Sequence, residues 1–466
     1  MARASSVYVC QACGATHPKW AGRCDACGDW NTLIEEVTQP VAGRASRTRG
    51  RQVALTPLDG AVSPVPRRPT GIAEFDRVTG GGLVPGSALL VGGEPGIGKS
   101  TLLLQVAAAV SAEARCAYVS GEEAVDQIKL RADRLGLRAS GVGLAAATAV
   151  RDIAALLAAP DGPEIMVVDS VQTLHLDALD SAPGTVAQVR ASAHELIQVA
   201  KRRGAVLLLV GHVTKEGLLA GPKVLEHMVD AVLAFEGERG HQFRILRAAK
   251  NRFGATDEIG VFEMTDGGLM EVPNPSALFL AEREAGVAGS AVFAGIEGTR
   301  PVLVEVQSLI VPSPLATPRR AVVGWDGGRL AMVLAVLEAR CGLALNSAEV
   351  FLNIAGGLRI TEPAADLAVA AALASAESGV PLPPETVVFG EIGLGGEIRA
   401  VARTDARLKE AAKLGFGRAI VPARRGTTAA GMELLEVSHV SDLLRHIRPL
   451  GAEPLRRMAR PESRHA

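Results

Sequence analysis

Net charge, long apolar runs and cysteine are all scarce in this chain of 466 residues. Its 49 Lys and Arg against 50 Asp and Glu leave a formal charge of -1, so no global basic field announces nucleic acid. A ring or cleft can still gather positive charge locally, so the balance does not exclude DNA. No apolar stretch approaches the ~18 residues of a membrane span. The start, Met1-Ala2-Arg3-Ala4-Ser5-Ser6, has no apolar signal-peptide core, and a cytoplasmic location is expected. Of six cysteines, Cys116 and Cys341 stand alone in apolar surroundings, and the other four lie within the first 27 residues. In a reducing cytosol such clustering reads as metal ligands and not as disulfides.

What is present is a phosphate cradle. Gly93-Glu94-Pro95-Gly96-Ile97-Gly98-Lys99-Ser100-Thr101 fits G-x-x-x-x-G-K-[ST] in full. The apolar run Ala88-Leu89-Leu90-Val91 precedes it as a buried strand, and Leu102 to Ala107 continues as a helix. A triphosphate needs donors arranged in advance. The glycines turn backbone N–H groups inward, the helix N-terminus adds its dipole, and Lys99 reaches the β- and γ-phosphates. The Ser100 hydroxyl completes a Mg²⁺ shell. The rival, an ordinary glycine-rich turn, requires neither the strand before nor the helix after. ATP and Mg²⁺ are therefore expected here.

The length exceeds one core, and several domains are expected. Residues 1–35 form a small Cys- and Gly-containing module. Residues 36–64, with Arg44, Arg47, Arg49 and Arg51, read as a flexible basic linker. From 65 to 272 apolar strands alternate with helices and end in a hairpin, which predicts an α/β domain with a largely parallel sheet. A third, α+β region covers 285–455, and 456–466 is a polar tail expected to be disordered. No internal repeat is visible.

Hydrolysis needs carboxylates near the γ-phosphate. Ile165-Met166-Val167-Val168-Asp169 ends an apolar strand in Asp169, where a second group is needed for Mg²⁺. Glu122 and Glu123 follow the strand Ala117 to Ser120. Glu122 is the candidate base, and Glu123 is expected to favour the start of the next helix. Past the strand Ala205 to Val210 comes Gly211-His212-Val213-Thr214-Lys215. His212 is either a γ-phosphate sensor or a structural histidine.

Cys10-Gln11-Ala12-Cys13 and Cys24-Asp25-Ala26-Cys27 are two knuckles able to supply four thiolates in a tetrahedron, which suits structural Zn²⁺. A thioredoxin-like pair would use one C-x-x-C in a βαβ setting. Trp20 and Trp30 flank the site and are expected to pack its tiny core rather than stack on bases.

These pieces in this order resemble the RecA-like ATPases. Lys250-Asn251-Arg252-Phe253-Gly254 narrows the likeness to the bacterial RadA (Sms) DNA-repair family, with Tyr118 to Glu123 and Val168-Asp169-Ser170 in register. The resemblance covers essentially the whole chain and implies a RecA-like P-loop core, a four-cysteine zinc module and a Lon-protease-like C-terminal domain. It implies that Arg252 or Lys250 reaches a neighbouring subunit's nucleotide, with Lys250 alternatively on DNA. Without it the segment reads as an exposed basic turn. Loops Ser181 to Thr185 and Lys215 to Gly217 match DNA-facing loops in position. The Lon likeness rests on Thr361 to Asp366 and Gly390 to Glu397. The nucleophile position carries Ala364, and the lysine position falls on or beside Asp405, with Lys409 a turn later. Neither Ala nor Asp supports a Ser-Lys mechanism.

The implied function is an ATP-dependent DNA motor in recombinational repair. It would be a homo-oligomeric, hexameric ring binding single-stranded and branched DNA and driving branch migration beside a RecA-type recombinase or replicative helicase. The alternatives are a regulatory RecA-like ATPase without DNA translocation, for which the zinc module has no role, and a Lon-type protease, which Ala364 opposes.

Overall fold

The structure, a computed structural model, describes residues 5–10, 15–26, 28, 30, 32–38, 66–213, 219–220, 223–237, 242–256, 258–281, 283–315, 317–423 and 431–447. Cys13, Cys27, Lys215, most of the expected linker and the whole expected tail lie outside these residues. The chain divides into two compact units, Met1–Glu271 and Val272–Ala466.

The N-terminal module is a three-stranded antiparallel sheet of β1 (Ser5–Cys10), β2 (Thr16–His17) and β3 (Leu33–Thr38), in the order β2-β1-β3. Its core is Cys10, Cys24 and Leu33, with Tyr8, Ala15 and Ala21 packed against them. Trp20 and Trp30 are not in it. They are 59% and 69% exposed, contrary to the expectation that they pack the core. So small a module has no interior wide enough for an indole, and the buried positions go to Cys10, Cys24 and Leu33.

The ATPase core runs α1 (Ala73–Thr79), β4 (Ala88–Gly93), α2 (Lys99–Val110), β5 (Cys116–Ser120), α3 (Val125–Arg134), β6 (Gly143–Ala146), α4 (Val150–Ala158), β7 (Ile165–Asp169), α5 (Val186–Arg203) and β8 (Val206–Val213). It continues through β9 (Leu219–Ala220), α6 (Lys223–Met228), β10 (Ala231–Glu236), β11 (Phe243–Asn251), β12 (Ile259–Thr265) and β13 (Gly268–Glu271). The sheet order is β13-β12-β11-β10-β4-β8-β7-β5-β6. From β10 to β6 neighbours pair in parallel, and β10 to β13 pair antiparallel. The expected hairpin is thus β10–β11, and the sheet extends two strands beyond it.

Every residue of β4, β5 and β7 is buried, which explains their continuous apolar runs: parallel strands covered on both faces have no polar side. One face packs α2 through Leu102, Leu103 and Val106, and the other packs α4 and α5 through Ile153, Leu157, Val189 and Leu196. Each such buried aliphatic side chain contributes about 1.5–3 kcal/mol of transfer free energy. Helix α5 starts at Thr185, whose Oγ accepts from Gln188 N at 3.5 Å, and stops at Gly204 in the left-handed region (φ 70°). Lys201, Arg202 and Arg203 sit in its last turn, where the helix dipole favours cations.

The second unit opens with α7 (Pro275–Phe279), then β14 (Ser290–Glu297), β15 (Arg300–Pro312), β16 (Arg320–Val323), α8 (Gly327–Cys341), β17 (Ala348–Ile354) and α9 (Asp366–Ser378). It ends with β18 (Thr386–Val388), the hairpin β19 (Glu391–Ile392) and β20 (Ile398–Arg399), α10 (Thr404–Lys413), β21 (Arg418–Pro422), β22 (Glu433–Val437) and α11 (Val440–Ile447). A seven-stranded sheet runs β16-β17-β15-β14-β18-β21-β22. Helix α9 packs on β14 and β15 and is buried from Asp366 to Ser375, and its run of alanines permits that close approach.

Candidate nucleotide-binding and hydrolysis site

Strand register gathers the site at one edge of the sheet. Gly93 at the end of β4 pairs with His212 on β8, and Ser120 at the end of β5 pairs with Asp169 at the end of β7. The P-loop, Glu122, Asp169 and the His212 backbone therefore share the C-terminal edge of the parallel strands. The rim between β4 and α2 is built for close approach. A Cβ on Gly93 would meet the Phe235 carbonyl at 2.5 Å, and one on Gly98 would meet Met264 at 2.7 Å. Gly98 has φ 114° and precedes α2 with no side chain capping its first N–H groups, which leaves them for an anion.

Lys99 is 4% exposed and donates from Nζ to the carbonyls of Gly93 at 2.7 Å and Glu94 at 2.9 Å. Burial pulls its ammonium below the ordinary lysine range, and Asp169, Glu122 and Glu94 oppose that fall. A charged, desolvated lysine beside pre-turned N–H groups fits a polyphosphate. Asp169, equally buried, accepts from the Tyr118 hydroxyl at 2.5 Å. Burial first, then Asp169, raises this phenol well above the usual tyrosine range and keeps it a donor.

Glu122 is exposed, and its carboxylate accepts from the Ser170 hydroxyl. Ser120 Oγ accepts from the Glu122 and Glu123 amides at 3.2 and 2.8 Å, fixing the turn that carries both. Glu123 does not cap α3. The helix begins at Val125, the Ala124 N–H donates to Gln127 Oε1 at 3.0 Å, and Glu123 is instead ion-paired with Arg131.

Lys250 and Arg252 are not at this edge. Ala231 and Val232, at the start of β10, pair with Asn251 and Lys250, so the segment sits where the parallel strands begin. Lys250 Nζ donates to the Glu226 and Val229 carbonyls at 2.6 and 2.8 Å, at the end of α6. Asn251 Nδ2 donates to Val78 O at 3.2 Å, and its Oδ1 accepts from Phe253 N at 2.8 Å. A Cβ on Gly254 would meet Gly80 Cα at 3.0 Å, so that glycine lets two backbones touch. Arg252 is left with its side chain 57% exposed and 3.3 Å from Asp230. Lys250, Asn251 and Gly254 thus build the turn that presents Arg252.

Two further residues, Tyr118 and Asp230, carry site contacts that the sequence does not assign to them. Asp230 joins β4 to this turn, accepting from Ala88 N at 3.0 Å and pairing with Lys201 at 3.3 Å and with Arg252. An aspartate immediately before an apolar strand is its available signal. In the zinc module Cys10 and Cys24 are buried at the centre, with Cys10 Sγ 3.1 Å from Thr32 Oγ1 and Cys24 Sγ 3.4 Å from His17 Nε2. Buried thiols in a ribbon this small fit a tetrahedral zinc site. In the second unit Ala364 is buried and Asp405 and Lys409 are exposed. The pair at the heart of that region is Arg407 with Glu362: Arg407 is 1% exposed, donates to Ala294 O at 2.7 Å and lies over the Phe389 ring.

Three family models match parts of the chain. Residues 8–35 match the rubredoxin metal-binding domain model, 67–218 an AAA domain model and 330–425 the model for subunit ChlI of Mg-chelatase. A KaiC-like protein of Pyrococcus horikoshii aligns at TM-score 0.38 and 20% identity over 45% of this chain and all of its own. The DNA repair protein RadA of Brucella abortus is 59% identical over 97% of this chain and 99% of its own. That of Bacillus subtilis is 48% identical over 96% and 99%. With a zinc ribbon, a RecA-like P-loop ATPase core and a Lon-like C-terminal fold in one order and at such identity, the chain belongs to the RadA family of DNA repair ATPases.

Proposed function

We propose that the chain is a cytoplasmic, ATP-driven DNA motor that assembles as a hexameric ring, binds single-stranded and branched DNA and drives branch migration in recombinational repair. The observation that carries this is the separation of Arg252 from Lys99 to opposite edges of one sheet, with the guanidinium exposed. Such a group is out of reach of its own P-loop and suits the nucleotide of the next subunit in a head-to-tail ring. Lys250, committed to two carbonyls, is the supporting member of that turn. A RecA-type recombinase or a replicative helicase is the expected protein partner.

In the reaction Lys99 and the amides of the P-loop hold the β- and γ-phosphates. Ser100 and Asp169 are the residues that would hold Mg²⁺, which would neutralise phosphate charge there. Tyr118 holds the Asp169 carboxylate in place. Glu122 orients the attacking water and takes its proton, and Ser170 aims that carboxylate. Arg252 from a neighbour stabilises charge developing on the γ-phosphate. Such a cycle couples the state of the edge to the loops after β7 and β8, including Ser181 to Thr185. The four cysteines hold Zn²⁺ structurally, and with Ala364 and Asp405 at the dyad positions the second unit has no protease role.

ATP turnover by the full chain, with and without single-stranded DNA and with Lys99→Ala as the blank, tests the reading. Strong stimulation by DNA that Lys99→Ala abolishes supports it. Equal turnover with and without DNA overturns the motor and leaves a regulatory ATPase.

A further inference from the structure

Tryptophan is rare in this chain, at three residues, and two of the three are exposed side by side on the zinc module. The indoles converge on Gly22: from a Cβ placed there, Trp30 lies 3.8 Å away and Trp20 3.9 Å away. Trp30 pairs with Arg23 in an isolated antiparallel bridge, and the Arg23 guanidinium lies 5.8 Å over its ring. Arg23 Nε is tied to Gly28 O at 2.7 Å, which pins the cation in place. Lys19 is exposed beside Trp20, and among the described residues an exposed carboxylate, Asp25, faces His17 at 3.9 Å. Two adjacent exposed indoles form an apolar patch with a polar handle, the kind of surface enriched at interaction sites.

We propose that Trp20 and Trp30, flanked by Lys19 and Arg23, form a base-stacking platform for single-stranded DNA. Indole faces accept any base, and the two cations suit the phosphates that run beside stacked bases. The inference rests on the DNA reading above and adds to it a second contact, outside the ATPase core, that grips bases rather than backbone. An apolar protein segment would not call for the cations, and a folded duplex would not expose its base faces.

The test is intrinsic tryptophan emission of the full chain titrated with oligo(dT). The third tryptophan, Trp325, is buried in the second unit, so emission changes report on the module. Quenching by oligo(dT), absent with an abasic strand of equal length, is expected. The pair Trp20→Ala and Trp30→Ala should weaken oligo(dT) affinity about 5- to 100-fold, whereas Trp20→Phe with Trp30→Phe retains most of it. Zinc content equal to wild type shows that the module is intact in each variant. If oligo(dT) binds with unchanged emission and the Ala pair binds as tightly as wild type, the platform is overturned while the DNA reading stands. Loss of affinity equal in the Phe and Ala pairs also overturns stacking. If no oligo(dT) binds at all, both readings fall.

Discussion

Tyr118 donates its hydroxyl to Asp169 Oδ2 at 2.5 Å across the β5–β7 pairing, linking residues 51 positions apart in sequence. Asp169 is the carboxylate that ends the apolar strand, and Tyr118 is buried completely beneath it. A phenol here does two things: it fills the α2-facing core, and it satisfies a buried carboxylate oxygen that would otherwise cost about 1–3 kcal/mol or more.

Tyr118→Phe keeps the ring and removes the donor. ATP turnover is expected to fall about 10-fold or more, with a steeper requirement for Mg²⁺, because the carboxylate loses its anchor. A Mg²⁺ titration of turnover checks this. An unchanged Mg²⁺ dependence would assign the phenol to packing alone.

Lys99→Ala and Arg252→Ala should each abolish turnover, but an equal mixture of the two should recover part of it. Random assembly restores about a quarter of the interfaces, since each site then takes Lys99 from one subunit and Arg252 from its neighbour. Turnover in mixed assemblies that stays at the level of either variant would mean that both residues act within one chain.

Cys116 gives a pH-dependent signature. Burial pushes its thiol from the ordinary value of 9.0 up to about 11. The native protein should therefore leave Cys116 unlabelled by iodoacetamide at neutral pH. A raised folded pKa means the unfolded chain sheds its proton first, so stability is full below about pH 9 and declines between there and about pH 11. Cys116→Ala should flatten that part of the urea-midpoint profile. Tyr118, also raised, contributes a decline beginning near pH 10, and Tyr118→Phe removes that part.

Arg407→Met strands the Glu362 carboxylate, which also accepts from Ile296 N at 3.0 Å. Glu362 is 23% exposed, so leaving it without Arg407 should cost about 1–3 kcal/mol. The thermal transition of the second unit should drop by several degrees while nucleotide binding by the first unit is retained. Calorimetry with and without ATP separates the two. Equal destabilisation of both units would show that they unfold as one.

Much of the fold is legible in the sequence because its signals are local. Buried β4 and β7 are runs of Leu, Val and Ile, and α5 runs from Thr185 to Gly204, cap to stop, inside one window of sequence. Glu123 departs from expectation because the helix start lies two residues later than charge patterning suggests, and the nearby Arg131 outcompetes the helix terminus for its carboxylate. The tryptophans depart from it because apolar character says nothing about whether a module has room inside.

The P-loop, the Asp169 strand, the two cysteine knuckles and Ala364 are properties of residue order. Each is a short segment read directly from the order of its residues. The edge on which Arg252 emerges, the bond from Tyr118 to Asp169 and the exposure of Trp20 and Trp30 are not of that kind. They follow from which strands pair and in what register. The Arg252 turn, for instance, is fastened by Arg67 to Phe253 O across 186 residues. Such contacts arise from burying apolar faces that lie far apart along the chain, so they exist only once the sheet has closed around its core.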